Sequence, residues 1–528
     1  MRYPLEDFTP SENALLLPHF TNLDRPVFAL RNLPETVKGA MFARYSRWGG
    51  TLRRLYLDEF AGEVDSGARP FDGDEGERAA GLYERVFIGY GDDSIAQVGG
   101  AHLACEWTSN VLTKVLQRGR LAAYLEQSTR YIAYDEPMPG GGYRFYSDED
   151  LGPAYREAMD SVFRDYSEGL RVVTAWAAER WPRGDEPEGA WRSSIRAKAL
   201  DLLRGLLPAS TLSHVGIFAS GQAYEQLLLR LFASPLPEAR EFGSMMLEEL
   251  RHVIPSFVAR VDRPERGGEW ISYLRSRREA TESAVARLGL DRREAADAPS
   301  VELVHVDGSE ADLLASSLYE STGVSEAEIR RRVDDLDPLE RAELIAELSG
   351  ARENRRHRPG RGWEAVRYRF EIVSDYGGFR DLQRHRMLTC QWQRLGPELG
   401  AGLPAEVVDA GAGDIYRRAL ETSRVEFERL EAQGMTDAAP YALCLGYRIR
   451  YILDLNAREA MHLCELRSGR EGHPTYRAVA QAMHERIAAV HPAIGAGMNH
   501  VDSTTEPRLE RIMSEIRAHR KRAAAGTA

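Results

Sequence analysis

Gln117-Arg118-Gly119-Arg120, followed by Glu126-Gln127-Ser128-Thr129-Arg130-Tyr131, has a partner later in the chain. The partner reads Gln383-Arg384-His385-Arg386 and leads into Trp392-Gln393-Arg394-Leu395-Gly396-Pro397. Combined, they spell Arg-His-Arg…Glu-x-Ser-x-Arg-Tyr. Neither copy spells it alone. A repeat of this length decides the architecture before any single element does, because it means one domain plan used twice. The expectation is an α+β protein of two tandem homologous helix-rich domains, each with a small twisted sheet.

The tails of the copies also correspond. Leu227-Leu-Leu-Arg230 matches Cys464-Glu-Leu-Arg467, and Ile254-Pro255 matches His491-Pro492. The stretch 267–300 is charged and rich in Gly, Ala and Arg. Val301–Val306 after it alternates like a strand, and Asp307-Gly308 and a helical run over 310–322 follow. The expected layout is a first domain over 1–265, a charged linker over 266–300, a second domain over 301–515 and a flexible basic tail over 516–528. Val366–Ser374 alternates apolar and charged residues with the period of a half-buried strand. Ala101–Ser109 takes the equivalent place, with Glu106 and Ser109 set against Glu371 and Ser374. Its strand signal is weak, and a helix running to Gln117 reads equally well. Gly119 suits a helix end with positive φ. Segment 183–190 reads as a loop. Tyr447–Leu455 reads as a strand, and Asn456-Ala-Arg-Glu459 as a capping box with Glu459 reaching back to the cap. On that helix Arg458, His462 and Glu465 share one polar face.

With 528 residues and 43% hydrophobic content, the chain can build more than one core. A net charge of −12 argues against a general nucleic-acid or membrane binder, although a local basic cleft can still hold a phosphate. Cys105, Cys390, Cys444 and Cys464 lack metal-ligand spacing and read as reduced core thiols of a cytoplasmic protein. No metal site is expected. No apolar run approaches the roughly 18 residues of a membrane span.

An Arg-x-Arg pair brings two cations together, and an anion between them relieves the repulsion. Two solvated arginines are the plainer reading of one pair alone, and its recurrence after Gln in both copies makes the two readings equal. Glu126, Ser128 and Arg130 point the same way on an extended segment and can grip a polar ring edge and a phosphate; an exposed strand serves equally. Arg204, four residues before Pro208, reads first as a helix-end arginine, as do Arg230 and Arg467. His385 between two guanidinium groups is expected to be neutral at pH 7.

These residues resemble the flavin-dependent thymidylate synthases, whose signature is Arg-His-Arg-x-x-Ser-x-Asn-Glu-x-Ser-x-Arg-Tyr. The first copy is similar at Arg118, Arg120, Glu126, Ser128, Arg130 and Tyr131, and departs at Gly119, Ala123 and Leu125. The second is similar at Arg384, His385 and Arg386, and departs from Trp392 onward. The family's arginine before Leu-Pro looks like Arg204. Its Asn-x-Arg looks like Asn456 and Arg458, its helix-ending arginine like Arg230 and Arg467, and an upstream glutamate like Glu364. The resemblance implies a fold like that of thymidylate synthase-complementing proteins. It implies a dUMP grip kept by copy one (Arg120, Glu126, Ser128, Arg130, Arg204), with Arg118 or Arg230 polarising the uracil. It implies an FAD grip kept by copy two (Glu364, Arg384, His385, Arg386, Asn456, Arg458, His462, Arg467). The implied reaction methylates dUMP reductively with methylenetetrahydrofolate and NADPH. The implied assembly is a homo-oligomer, with a dimer equivalent to the family tetramer. A flavoenzyme for another pyrimidine nucleotide and a non-catalytic binding relic are the competing readings.

Overall fold

A computed structural model describes the chain apart from residues 1, 2, 5, 34, 63–94, 98, 139–140, 297, 506–507 and 526–528. Eight named strands form two four-stranded antiparallel sheets. In the first, β1 (Val27–Leu30), β2 (Gly100–Ser109), β3 (Ala122–Glu126) and β4 (Leu212–Ser220) lie in the order β1-β2-β4-β3. In the second, β5 (Ser300–Asp307), β6 (Arg367–Asp375), β7 (Thr389–Trp392) and β8 (Arg448–Asn456) lie in the order β5-β6-β8-β7. The identical order, set among helices, is the α+β tandem duplication expected from the repeat.

A shared local device builds each copy. The two central strands of each sheet end in a polar cap that starts a helix. Ser109 accepts the Leu112 N–H at 2.9 Å, and Ser220 accepts the Ala223 N–H at 3.4 Å. Asp375 caps its helix at Gly378, and Asn456 accepts the Glu459 N–H at 2.9 Å. A side-chain oxygen thus serves a donor that the first helical turn leaves bare. The strands leading into these caps carry apolar core faces. Tyr368, Phe370 and Ile372 of β6 are fully buried.

The chain does not divide into linear halves. One compact unit comprises Met1–Ser167, Pro208–Arg293 and Glu421–Leu443; the other comprises Glu168–Leu207, Glu294–Leu420 and Cys444–Ala528. A stretch of the first repeat, which includes Arg204, therefore belongs to the second unit. A stretch of the second repeat belongs to the first.

Of the two readings of Ala101–Ser109 the strand holds, and the helix begins only at Asn110. Several other local expectations need correction. A bulge between Cys105 and Thr108, with Trp107 at φ 57°, puts one extra residue into β2. Ser109 therefore answers to Asp375, since both face the first residue of the next strand, Leu212 and Arg448. Ala104, facing Gly216, answers to Glu371, facing Ile452. Gly119 is absent from the positive-φ glycines. The loop around 183 gives way to helix at Glu188, the charged stretch contains the helix Glu269–Arg287, and the basic end lies on the helix Ile512–Ala525.

Cys105, Cys444 and Cys464 are buried thiols outside any disulfide, and Cys390 is half-buried. Among the described residues no helix is long and apolar enough to cross a membrane.

Candidate functional site

In the first unit the signature residues gather at the end of β3. Glu126 does not face outward. Its carboxylate is buried and takes Lys114 Nζ at 3.3 Å and Gln117 Nε2 at 2.9 Å. The expected extended segment stops there. Ser128 opens a turn in which the N–H groups of Tyr131 and Ile132 donate to its carbonyl, and its hydroxyl accepts the Arg130 N–H at 3.2 Å. Glu126 is thus a buried anchor, while Ser128 and Arg130 sit half-buried on the turn it holds. The Arg47 guanidinium lies 5.0 Å from the Tyr131 ring.

Arg118 and Arg120 are exposed just before this strand. Arg230 lies behind them on the helix Gly221–Ala233. Burial holds its pKa below the ordinary value; Tyr124 opposes this and the Arg118 charge adds to it. Two guanidinium groups repelling each other in a partly desolvated place is the electrostatics of an anion site. Gly119 stands where the signature has histidine, beside the movable ends of two side chains. A Cβ there would meet Tyr124 Oη at 2.7 Å and Arg230 Nη2 at 3.5 Å.

The second unit keeps the histidine and has built around it. Arg467 Nε donates to His385 Nε2 at 3.0 Å, and His385 Nδ1 lies 2.8 Å from Glu459 Oε1. A guanidinium only donates, so Nε2 must accept, Nδ1 carries the proton, and Glu459 receives it. His462 Nδ1 approaches the same carboxylate at 3.3 Å. The capping-box expectation fails on this point: Asn456 caps the helix, but the Glu459 carboxylate turns inward to the histidines. His385, Glu459 and His462 also lie close enough together to hold a metal ion. The hydrogen-bond logic favours the relay, because Nδ1 is protonated and Nε2 is already taken.

Burial is the main force on His385, pressing its pKa down to about 4; the Glu459 hydrogen bond opposes this and the Arg467 charge reinforces it. The histidine is neutral at pH 7, as expected, but for a different reason than its flanking arginines. The unfolded chain protonates this imidazole as pH falls through 6.5, whereas the fold resists until about 4. The unfolded state therefore holds the extra proton within that window, and stability drops as pH is lowered across it. Urea unfolding across this range should show a shallower pH slope in His385→Gln than in the wild type. Equal slopes would contradict the buried neutral histidine.

Asp381 joins two further signature residues. It takes Arg204 Nη1 at 2.9 Å and has Arg384 Nη1 at 3.9 Å. Arg458 donates to the Pro359 carbonyl at 2.9 Å and lies 3.5 Å from Glu364. Arg384 and Arg386 remain exposed beside them. The structure thus unites His385, His462 and Arg467 through Glu459, Arg204 and Arg384 through Asp381, and Arg458 with Glu364. It assigns Arg204 to the second unit and the Glu126–Arg130 set to the first. Sequence reasoning missed Glu459 and Asp381. Asp381 had a signal, the i, i+3 spacing to Arg384. Glu459 was masked by its own capping position.

The profile of the family described as thymidylate synthase complementing protein matches residues 51–256 and again 313–493. The chain belongs to this family. Its double match is the tandem duplication seen in the two sheets. A UPF0159 protein of Chlamydia muridarum is 37% identical over 97% of this chain and 98% of its own length. Another from Chlamydia pneumoniae is 35% identical over 97% of this chain and 98% of its own. Among solved structures the chain is similar to a UMP/dUMP methylase, PolB from Streptomyces cacaoi, bound with 5-Br dUMP. The identity is 21% and the TM-score 0.32, covering 40% of this chain and 100% of that one.

Proposed function

We propose that this member of the family is a flavin-dependent thymidylate synthase-type enzyme that methylates dUMP. The observation that carries the reading is the buried Glu459–His385–Arg467 relay, which spends a carboxylate and an imidazole to aim one guanidinium. Burying these groups costs desolvation that their mutual hydrogen bonds offset, and the outcome is a guanidinium held in one orientation. His385 has both ring nitrogens engaged, so it acts as a positioning residue for Arg467.

The donor set suits FAD. Arg384 and Arg386 are exposed cations at one helix end that match a pyrophosphate, and Arg458 and His462 belong to the same expected grip. Glu364 holds Arg458. When bound, FAD supplies the hydride after reduction by NADPH, and methylenetetrahydrofolate supplies the carbon. In the first unit Arg118 and Arg230 are the pair to polarise a uracil carbonyl, where stabilising the developing enolate charge is the largest available effect. Ser128 and Arg130 offer hydroxyl and guanidinium to the phosphate, and Arg120 stands beside them. Arg204, held by Asp381, would take a phosphate oxygen in the second unit. No cysteine nucleophile is needed.

The test is dTMP formation from dUMP with FAD, NADPH and methylenetetrahydrofolate. Activity with dUMP and none with UMP or dCMP is the expected result. NADPH oxidation without dTMP would overturn it, and turnover of another pyrimidine nucleotide would reassign the substrate.

A further inference from the structure

The first unit holds a cation that no carboxylate answers. Arg144 is half-buried, and its guanidinium lies 4.9 Å from the Trp107 ring centroid and 5.0 Å from that of Tyr134. Aromatic faces attract a cation without neutralising it. Nη2 of Arg144 donates to Gln127 Oε1 at 2.9 Å, Nε is buried without a hydrogen-bond partner, and the side chain forms no ion pair among the described residues. Burial presses its pKa down, while Tyr134, Tyr45 and Glu106 oppose this, and a guanidinium keeps its charge regardless. The carboxylates of this region are engaged elsewhere. Glu106 accepts the Tyr45 hydroxyl at 2.9 Å and the Leu52 N–H at 2.8 Å, and Glu126 takes Lys114 and Gln117.

Gln127 carries the influence of Arg144 into the signature turn. Its Nε2 donates to the Trp48 carbonyl at 2.6 Å, so Oε1 is the end turned to Arg144. The next residue, Ser128, donates its N–H to the Ser46 carbonyl at 3.1 Å. The turn is thus fastened just before Ser128 and Arg130. His214 completes the surroundings. Burial and the Arg144 charge hold its pKa well below the ordinary value, so the ring is neutral. Its Nδ1 accepts the Trp107 N–H at 3.1 Å, which leaves the proton on Nε2. That nitrogen lies 3.3 Å from Arg144 Nη2. Two donors therefore face each other, and an anion close by would relieve them.

Trp107 reaches this place by way of the bulge in β2, in a backbone region that a bulky residue rarely adopts. The second unit shows the same fold without the device. Leu212 donates its N–H to the Arg144 carbonyl at 2.9 Å, and Arg448 donates to the Gly400 carbonyl at 2.9 Å. Gln127 donates its N–H to the His214 carbonyl at 2.8 Å, and Gln393 donates to the Arg450 carbonyl at 2.9 Å. Gly400 therefore answers to Arg144, and Arg450 to His214. The cation found there is neutralised, since Arg450 lies 3.0 Å from Glu371 and 3.7 Å from Glu294. The strained bulge and the unanswered guanidinium occur in the copy that keeps Glu-x-Ser-x-Arg. The copy that lost it has a glycine and a paired arginine instead.

We propose that Arg144 is a positioning residue for the nucleotide phosphate: it fixes the Ser128–Arg130 turn through Gln127, and the phosphate dianion balances its charge. This inference rests on the nucleotide reading above. Attraction between charges falls slowly with distance where water is excluded, so the guanidinium acts without touching the ligand. Phosphate affinity then depends on the charge at this position as well as on the shape of the turn.

The test is calorimetric titration of the full chain with dUMP and with deoxyuridine, which lacks the phosphate. Arg144→Lys keeps a charge and a donor, whereas Arg144→Gln keeps a donor alone. Arg144→Gln should bind dUMP at least about tenfold more weakly than Arg144→Lys, with deoxyuridine affinity unchanged in both. Equal dUMP affinity in the two variants would overturn the proposal. An equal loss of dUMP and deoxyuridine would also overturn it, because Arg144 would then be a purely structural group. A wild type that binds no dUMP would sink the nucleotide reading and this inference together. Wild-type binding that Arg144→Gln leaves intact would sink this inference alone. If the variants do not fold, phosphorus NMR of dUMP on the wild type decides. The second ionisation of the phosphate, at about pH 6 in a free monoester, should fall on binding, and an unshifted titration would overturn the proposal.

Discussion

Replacing Glu465 with alanine should lower the unfolding free energy of the second unit by about 3–5 kcal/mol. Glu465 and Arg352 form a bidentate pair at 2.7 and 2.6 Å, and neither side chain is more than 2% exposed. Arg352 also donates to the carbonyls of His357 and Gly497, and Glu465 accepts the His500 N–H at 3.3 Å. Removing the carboxylate strands a guanidinium where water cannot reach it. Removing both charges is different, since a well-packed apolar pair escapes the desolvation cost. Glu465→Leu with Arg352→Met should therefore recover much of the loss. Urea unfolding of the three variants measures this directly. A single-variant loss below about 1 kcal/mol, the range of surface pairs, would mean that the pair is not buried in solution.

The second large effect concerns ligands. His385→Ala should weaken FAD binding by roughly 30- to 100-fold, about 2–3 kcal/mol, and leave dUMP binding nearly unchanged. The imidazole carries the hydrogen bonds that link Glu459 to Arg467, so its loss frees the guanidinium to swing and leaves a buried carboxylate short of a donor. Arg130→Ala should do the reverse, weakening dUMP while FAD stays bound. Titration of each variant with each ligand tests the division. Equal loss of one ligand in both variants would show that the two repeats do not divide the work.

Much of the fold was legible because it is written in short-range chemistry. The alternation of Val366–Ser374, the strand before Asn456 and the cap at Asn456 itself all depend on period and on one side-chain oxygen. What escaped depends on tertiary context. The bulge at Trp107 displaces β2 by one residue, and nothing in Glu-Trp-Thr-Ser announces a positive φ at tryptophan. Glu126 looked like a ligand on an alternating strand, yet Lys114 and Gln117 claim it from inside. Glu459 sat where a capping box predicts a backward reach, yet two histidines offered a stronger bond than the cap amide. The placement of Arg204 was not readable at all. Its sequence neighbours belong to the first repeat, and its ion-pair partner, Asp381, lies 177 residues away.

The proposed function rests on a flavin held by the second unit. The measurement that tests it most directly is the visible absorption spectrum of the purified protein after equilibration with FAD and desalting. The expected result is a retained flavin spectrum. A folded protein that emerges colourless would contradict the flavoenzyme reading and leave a nucleotide-binding protein without redox chemistry.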